Sequence, residues 1–335
     1  MTHRRQNFMG GAAILAGAVA VTKLLGALYK IPLGNLLDRE GMAHFYAAYN
    51  IYSLLLLLST AGLPVALSRM VSRAAAQRRY GAVRRCLHLG LALLAALGLV
   101  CSAVMCLLPE ALAAALHDPD AAPALRTLGP AVLLVCLSAA LRGYSQGHSD
   151  MTPTSVSQII EALCKLVVGL GLAFWLVKQG KDPDVAAAGA ITGVTVGTVV
   201  ALVYMVLDFF LSRGREDTHG TDRPDSAGSI LANILKIAVP ITLSSSMVGI
   251  VTVIDSSLVQ GQLQSALDLT EKASRTLYGN YSGALNIYNL PTSLMAAITA
   301  SVIPAVSAAL ARRDRRGAAR ITGSALRITA LLSFP

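Results

Sequence analysis

The chain has 335 residues, of which 54% are hydrophobic and only 14% charged, with a formal net charge of +10. A soluble globular domain carries about a quarter charged residues, and the deficit here, with a mean hydropathy of +0.60, excludes a single water-soluble core. The basic residues sit mostly in short loops between apolar runs, which points to anionic lipid headgroups; with no basic helix or aromatic–basic platform outside those runs, nucleic acid is not an expected partner.

The apolar runs are about 20 residues long, enough to cross a hydrocarbon layer of roughly 30 Å as a helix. The first, Phe8–Leu33, follows Arg4 and Arg5 and is too long for the apolar part of a cleaved leader, so a retained first helix is predicted. Further spans are predicted at Ala47–Leu67, Cys86–Leu108, Leu125–Leu141, Thr154–Val177, Ala186–Leu211, Ile230–Val259 and Tyr281–Leu310. A ninth apolar segment starts near Ile321 and meets Pro335. About 15 residues are too few to cross as a helix, so the last segment is expected to be cut short. The fold class predicted is all-α: a polytopic transmembrane bundle with an N-terminal lobe of six helices at 1–211, a cytoplasmic linker at 212–229, and a partial C-terminal lobe at 230–335.

The loops test this count. With the N-terminus inside, cytoplasmic loops hold Arg4 and Arg5, six arginines between Arg69 and Arg85, Arg142, Arg213, Arg215 and Arg223, and five arginines between Arg312 and Arg320. The opposite loops hold only Arg39, Arg126, Lys178, Lys181, Lys272 and Arg275. This asymmetry obeys the positive-inside rule. One missed span would invert every later loop and spoil it, so a multi-pass cell-membrane protein with a cytoplasmic N-terminus is expected.

Ionisable groups inside a span cost about 2.5–3.5 kcal/mol at the bilayer centre on insertion scales, and mark function. Lys23 and Lys30 lie seven residues apart in the first span, two helical turns, and so share a face. Either they line a polar cavity and meet an anion, or Lys30 snorkels to the interface while Lys23 pairs with an acid. Glu161 and Lys165 are four apart in the fifth span, in the acid-first order that favours an intrahelical pair; self-neutralisation and a cavity role are both open. Asp255 in the seventh span is placed to face a cavity, pair with Lys30, or cap an irregular turn. Lys236, near the cytoplasmic end of the same span, is expected to snorkel. Asn286 and Asn289, just before Pro291, are polar groups suited to a cavity wall or an interhelical hydrogen bond.

Prolines at 64, 240, 291 and 304 permit kinks. The five cysteines lie in or beside apolar segments with no ligand or redox spacing, and read as small core residues. No HExxH, GxSxG or phosphate-binding glycine loop is present, and no histidine pairs with a carboxylate inside one span. An enzyme, a metal site and a cofactor are therefore not expected.

Four stretches carry a family resemblance. They are Lys23-Leu-Leu-Gly-Ala-Leu-Tyr-Lys30-Ile-Pro with Tyr49-Asn-Ile-Tyr52 and Ser59-Thr-Ala-Gly-Leu-Pro64; Arg142-Gly-Tyr-Ser-Gln-Gly147 with Met151-Thr-Pro-Thr154 and Ser157-Gln-Ile-Ile-Glu161; Lys236-Ile-Ala-Val-Pro240 leading to Val253-Ile-Asp255; and Leu277-Tyr-Gly-Asn-Tyr-Ser-Gly with Asn289-Leu-Pro and Ser301-Val-Ile-Pro304. In order and over nearly the whole chain, these resemble the polysaccharide-exporter and lipid II flippase families, especially the stage V sporulation protein B-like branch. The resemblance implies the two-lobe fold of the multidrug/oligosaccharidyl-lipid/polysaccharide (MOP) exporters, with alternating access around a cationic cavity. Lys23 and Lys30 stand where arginines are usual in the first helix, which keeps the charge and loses the bidentate grip.

The function implied is translocation of an undecaprenyl-pyrophosphate-linked glycan precursor, lipid II or a related repeat unit, across the cytoplasmic membrane. Lys23, Lys30 and Arg142 are the expected substrate-binding residues. Glu161, Lys165, Asp255, Asn286 and Asn289 are expected coupling or cavity residues, and membrane lipids and cell-wall synthases are expected partners. Two alternatives differ in what they predict. A cation-coupled multidrug antiporter of the same superfamily should carry an unpaired acid in the first helix. A non-transporting scaffold for envelope or spore assembly should pair its intramembrane charges and enclose no cavity.

Overall fold

Asp38 begins the second crossing: its carboxylate accepts the Gly41 N–H at 2.8 Å and caps a helix that starts eight residues before the predicted Ala47. The polar residues Arg39, Glu40 and His44 hide this first stretch from a hydropathy reading. In this computed structural model, which describes residues 8–213, 226–265, 270–285, 288–289, 306 and 314–333, the elements in order are α1 (Phe8–Leu36), α2 (Arg39–Thr60), α3 (Leu63–Ala76), α4 (Tyr80–Leu107), the short α5 (Pro109–Ala115), α6 (Ala122–Gly147), α7 (Thr152–Cys164), a π turn (Lys165–Gly169), α8 (Leu170–Lys178), α9 (Pro183–Arg213), α10 (Ala227–Ser265), α11 (271–285) and α12 (Arg315–Ser333). Among the described residues all regular structure is helical.

Seven helical stretches there are long and apolar enough to cross a membrane, and they match the first seven predicted spans. The second is two helices. The chain breaks at Ala61–Gly62, and Pro64 restarts it in the first turn of α3, where its missing N–H removes no hydrogen bond. Of the predicted eighth span, Tyr281–Leu310, the described part is mainly residues 281–285, the last third of α11; Pro291, Pro304 and Asn286 lie outside the described residues, as do Arg215, His219 and Arg223 of the linker. The ninth segment differs from expectation. Asp314 accepts the Gly317 N–H at 2.8 Å and starts α12 at Arg315, six residues before Ile321, and its interspersed arginines keep it out of the set of membrane-crossing helices.

The bundle has an apolar core and an apolar outer face, with its polar groups gathered in cavities and at its ends. Phe45, Leu67, Leu94, Met105, Leu125, Leu128 and Ile191 are fully buried among α2, α3, α4, α6 and α9. The outer faces nevertheless carry large exposed apolar side chains, including Leu107 at 75% and Leu211 at 77%. In water such a surface would aggregate; against lipid it is the matched solvent.

Glycines set the closest contacts. Gly189, Gly193 and Gly197 recur every fourth residue on α9, the small-residue spacing that lets membrane helices touch backbone to backbone. A Cβ on Gly197 would stand 2.7 Å from the Glu161 carbonyl oxygen, and one on Gly193 3.0 Å from that of Lys165. The α7–α8 span is thereby pressed against α9. At the α2–α3 break, the Gly62 N–H donates to Thr242 Oγ1 at 3.2 Å, which docks α10 onto the first six spans.

The two ends of the bundle differ. One carries the arginines between Arg69 and Arg85. The other carries Glu40, Asp118 and Asp120, and here α10 and α11 meet the earlier helices: Ser257 Oγ donates to the Ala115 carbonyl at 2.9 Å, Gln264 Nε2 to that of His117 at 3.1 Å, and Asn50 Nδ2 to the Tyr278 hydroxyl at 3.1 Å.

Candidate functional site

A cavity of about 550 Å³ lies between α1, α2, α6, α7 and α9. Lys23, Lys30, Arg142 and Lys165 line it, with Glu161 as its one carboxylate among the described lining residues. Asn289, beyond α11, lines it too. Six of the eight residues singled out in the sequence therefore meet in one place. Asp255 does not line this cavity; its Oδ2 accepts the Tyr281 hydroxyl at 2.9 Å. Asn286 lies outside the described residues.

The charges sit deep. Lys23 falls one residue from the middle of α1, and Lys165 is the middle residue of the continuous stretch Thr152–Lys178. Charge at that depth requires water, a partner or an aromatic face.

Each charge is held differently. Arg142 is locked: its Nη2 reaches Glu161 Oε2 at 3.0 Å and its Nε donates to Ser157 Oγ at 3.0 Å. Glu161 thus takes Arg142, from another helix, where an intrahelical pair with Lys165 was the simplest neutralisation. Lys165 opens the π turn and lies instead between aromatic rings, its Nζ 4.5 Å from the Tyr49 ring centroid and 4.9 Å from that of Tyr29. It also donates to the Tyr49 hydroxyl at 3.4 Å. An aromatic face stabilises the ammonium without neutralising it. Lys30 stands 5.9 Å from the Tyr46 ring centroid. Lys23 is exposed, with no carboxylate at ion-pair distance among the described residues.

The aromatic wall was not singled out as a site. Tyr46, Tyr49 and Tyr52 recur every third residue on α2, which puts them on neighbouring parts of one face; that spacing was the available signal. Tyr29, 1% exposed, is fixed by donating its hydroxyl to the Ala190 carbonyl at 2.9 Å. Gln158 also lines the cavity, and its buried Oε1 has no hydrogen-bond partner among the described residues.

A second charged cluster, also missed, lies at the acidic end. Arg275 on α11 is 6% exposed and its Nε stands 3.3 Å from Asp118 Oδ1, which is itself fully buried. Asp118 also meets His44 Nδ1 at 2.8 Å. The same guanidinium contacts Asp120, Glu40 at 3.7 Å and Glu271 at 3.2 Å, while Lys272 Nζ is 3.5 Å from Glu40. Arg275 and Lys272 read in the sequence only as loop charges. Folding makes Arg275 a tie between α11, the start of α2 and the 109–121 connection.

Comparison with known proteins gives the family and the fold. Residues 8–310 match the polysaccharide biosynthesis protein family. The chain belongs to that family. Among curated Bacillus subtilis (strain 168) proteins of similar sequence, uncharacterized membrane protein YabM is 28% identical over 308 residues, covering 91% of this chain and 56% of YabM. Stage V sporulation protein B is 24% identical, covering 90% and 58%, and lipid II flippase MurJ is 28% identical over 208 residues, covering 58% and 38%. Among solved structures, an inward-facing multidrug resistance MATE family transporter of the MOP superfamily superposes with a TM-score of 0.65 at 17% identity, covering 96% of this chain and 67% of that one. This chain is thus a multi-pass membrane protein with the MOP fold. It spans little more than half the length of YabM and stage V sporulation protein B.

Proposed function

We propose that the protein translocates a polyprenyl-pyrophosphate-linked glycan precursor, lipid II or a related repeat unit, across the cytoplasmic membrane by alternating access. The observation that carries this reading is the cavity itself: four cationic side chains and one carboxylate line it, Lys23 and Lys165 near the middle of their spans, with that carboxylate already engaged by Arg142. A diphosphate leaving water loses its hydration, and fixed positive charge replaces it. The similarity to the lipid II flippase MurJ supports the same substrate class.

In this account the arginine-rich end faces the cytoplasm, as the positive-inside rule requires. The headgroup enters from the inner leaflet while the polyprenyl tail stays in hydrocarbon. Lys23 and Lys30 meet the pyrophosphate, and Lys165, held by ring faces, keeps its charge available to it. Arg142 is a positioning residue that silences Glu161. The Arg275–Asp118 cluster shuts the outer end. Its opening, as residues 1–211 rock against 230–335, exposes the headgroup to the outer leaflet. Membrane potential or an ion gradient drives the cycle, with Glu161 and Asp255 as coupling groups, and cell-wall synthases receive the product.

The cationic antiporter reading fits the MATE fold, but no acid stands in α1 and the cavity's carboxylate is paired. The scaffold reading has no use for a charged cavity. Complementation separates the three. The complete gene should restore growth to a strain depleted of its lipid II flippase, and K23A/K30A should abolish rescue at equal membrane abundance. Rescue by the double variant would overturn the mechanism. Correct insertion without any rescue by the natural protein would remove lipid II from the substrate class.

A further inference from the structure

A second basic cavity, of about 730 Å³, opens at the arginine-rich end between α3, α4 and the beginning of α10, and shares no lining residue with the central one. Arg69 and Arg73 enter it from successive turns of α3, Arg79 from the start of α4 and Lys236 from α10. Its described lining residues include no carboxylate. Like charges four apart on a helix repel, and here Lys236 converges on the same space from another helix, so an anion is the ligand the arrangement accommodates. Alongside the cations, Ile237 and Ile241 of α10 supply an apolar wall. A free phosphate has no use for that wall; an amphiphile does.

The site lies where spans end, at the level of lipid headgroups, and basic pockets between helices on the cytoplasmic side suit phosphate-bearing lipids. We propose that this cavity binds the headgroup of an anionic phospholipid, which bridges α3 and α4 to α10. The phosphate sits among Arg69, Arg73 and Lys236, and the glycerol and upper acyl chain lie along Ile237 and Ile241. The bound lipid is a structural partner that joins the first six spans to the seventh, separate from the translocated substrate.

Native mass spectrometry of the purified protein, titrated with phosphatidylglycerol, phosphatidylcholine or inorganic phosphate, tests this. The expected result is a tight phosphatidylglycerol adduct that inorganic phosphate at millimolar concentration does not displace. R69Q/R73Q/K236Q should weaken that adduct at least tenfold, R69K/R73K should preserve it, and K236Q alone should give a partial loss that stands even if the triple variant fails to fold. K23A/K30A should leave it unchanged, which keeps the outcome independent of the central cavity. Equal binding of phosphatidylcholine, displacement by inorganic phosphate, or wild-type binding in both glutamine variants would overturn the proposal.

Discussion

Arg275 Nε stands 3.3 Å from Asp118 Oδ1, across 157 residues of sequence, with the arginine 6% exposed and the aspartate wholly buried. Removing one partner of an isolated buried pair costs about 3–5 kcal/mol; here Asp118 keeps His44, and Arg275 keeps Asp120, Glu40 and Glu271, so each single loss is expected to fall below that range. R275Q and D118N are each expected to lower thermal stability in detergent. The double variant should fall short of the sum, by a coupling of about 0.5–3 kcal/mol. Additive losses would show that the pair is not a unit.

Arg142 and Glu161 give a signed prediction for binding. R142Q exposes an unpaired carboxylate to the cavity, whereas R142Q/E161Q removes both charges. Binding of a polyprenyl pyrophosphate, followed by fluorescence quenching in detergent, should be weaker in R142Q than in the double variant, although the single variant has lost no more positive charge. The opposite order would show that the Glu161 carboxylate favours binding, and would overturn the role given to Arg142.

Lys165 separates ring from hydroxyl. Y49F removes the 3.4 Å hydrogen bond and keeps the ring 4.5 Å from the ammonium. Y49L removes both. If the face of the ring holds the charge, Y49L should cost more than Y49F by about 0.5–2 kcal/mol in thermal unfolding.

The glycine stripe of α9 predicts a positional contrast. A Cβ at Gly193 collides with the Gly169 backbone, its Cα at 2.5 Å, and also meets the Lys165 carbonyl oxygen at 3.0 Å, while one at Gly171 meets nothing within 4 Å. G193A should therefore destabilise by about 1–3 kcal/mol through overpacking. G171A, in an exposed helix position, should be neutral or slightly stabilising on propensity. Thermal melts of the two variants decide it.

What the sequence made legible follows from the range of the signal. The seven-residue spacing of Lys23 and Lys30 is a property of one helix, and it put both on the cavity face. Glu161 and Lys165 were recognised by the cost of charge in a span, but their partners were not, since Arg142 and Tyr49 belong to other helices. Helical periodicity carries no information about Asp118 and Arg275, which meet only once α11 docks on the start of α2. The early start of α2 was masked by its own polar residues, and the aromatic wall by its resemblance to ordinary apolar filling.

The central claim is that this cavity carries a lipid-linked pyrophosphate. Its most direct test is reconstitution of the complete protein in proteoliposomes loaded with a fluorescent undecaprenyl-pyrophosphate disaccharide. The fraction of headgroups accessible to an impermeant quencher is then followed with time. The account predicts protein-dependent exchange between leaflets that K23A/K30A lowers at least tenfold and K23R/K30R retains. Exchange that persists in the double alanine variant at equal reconstitution would contradict it.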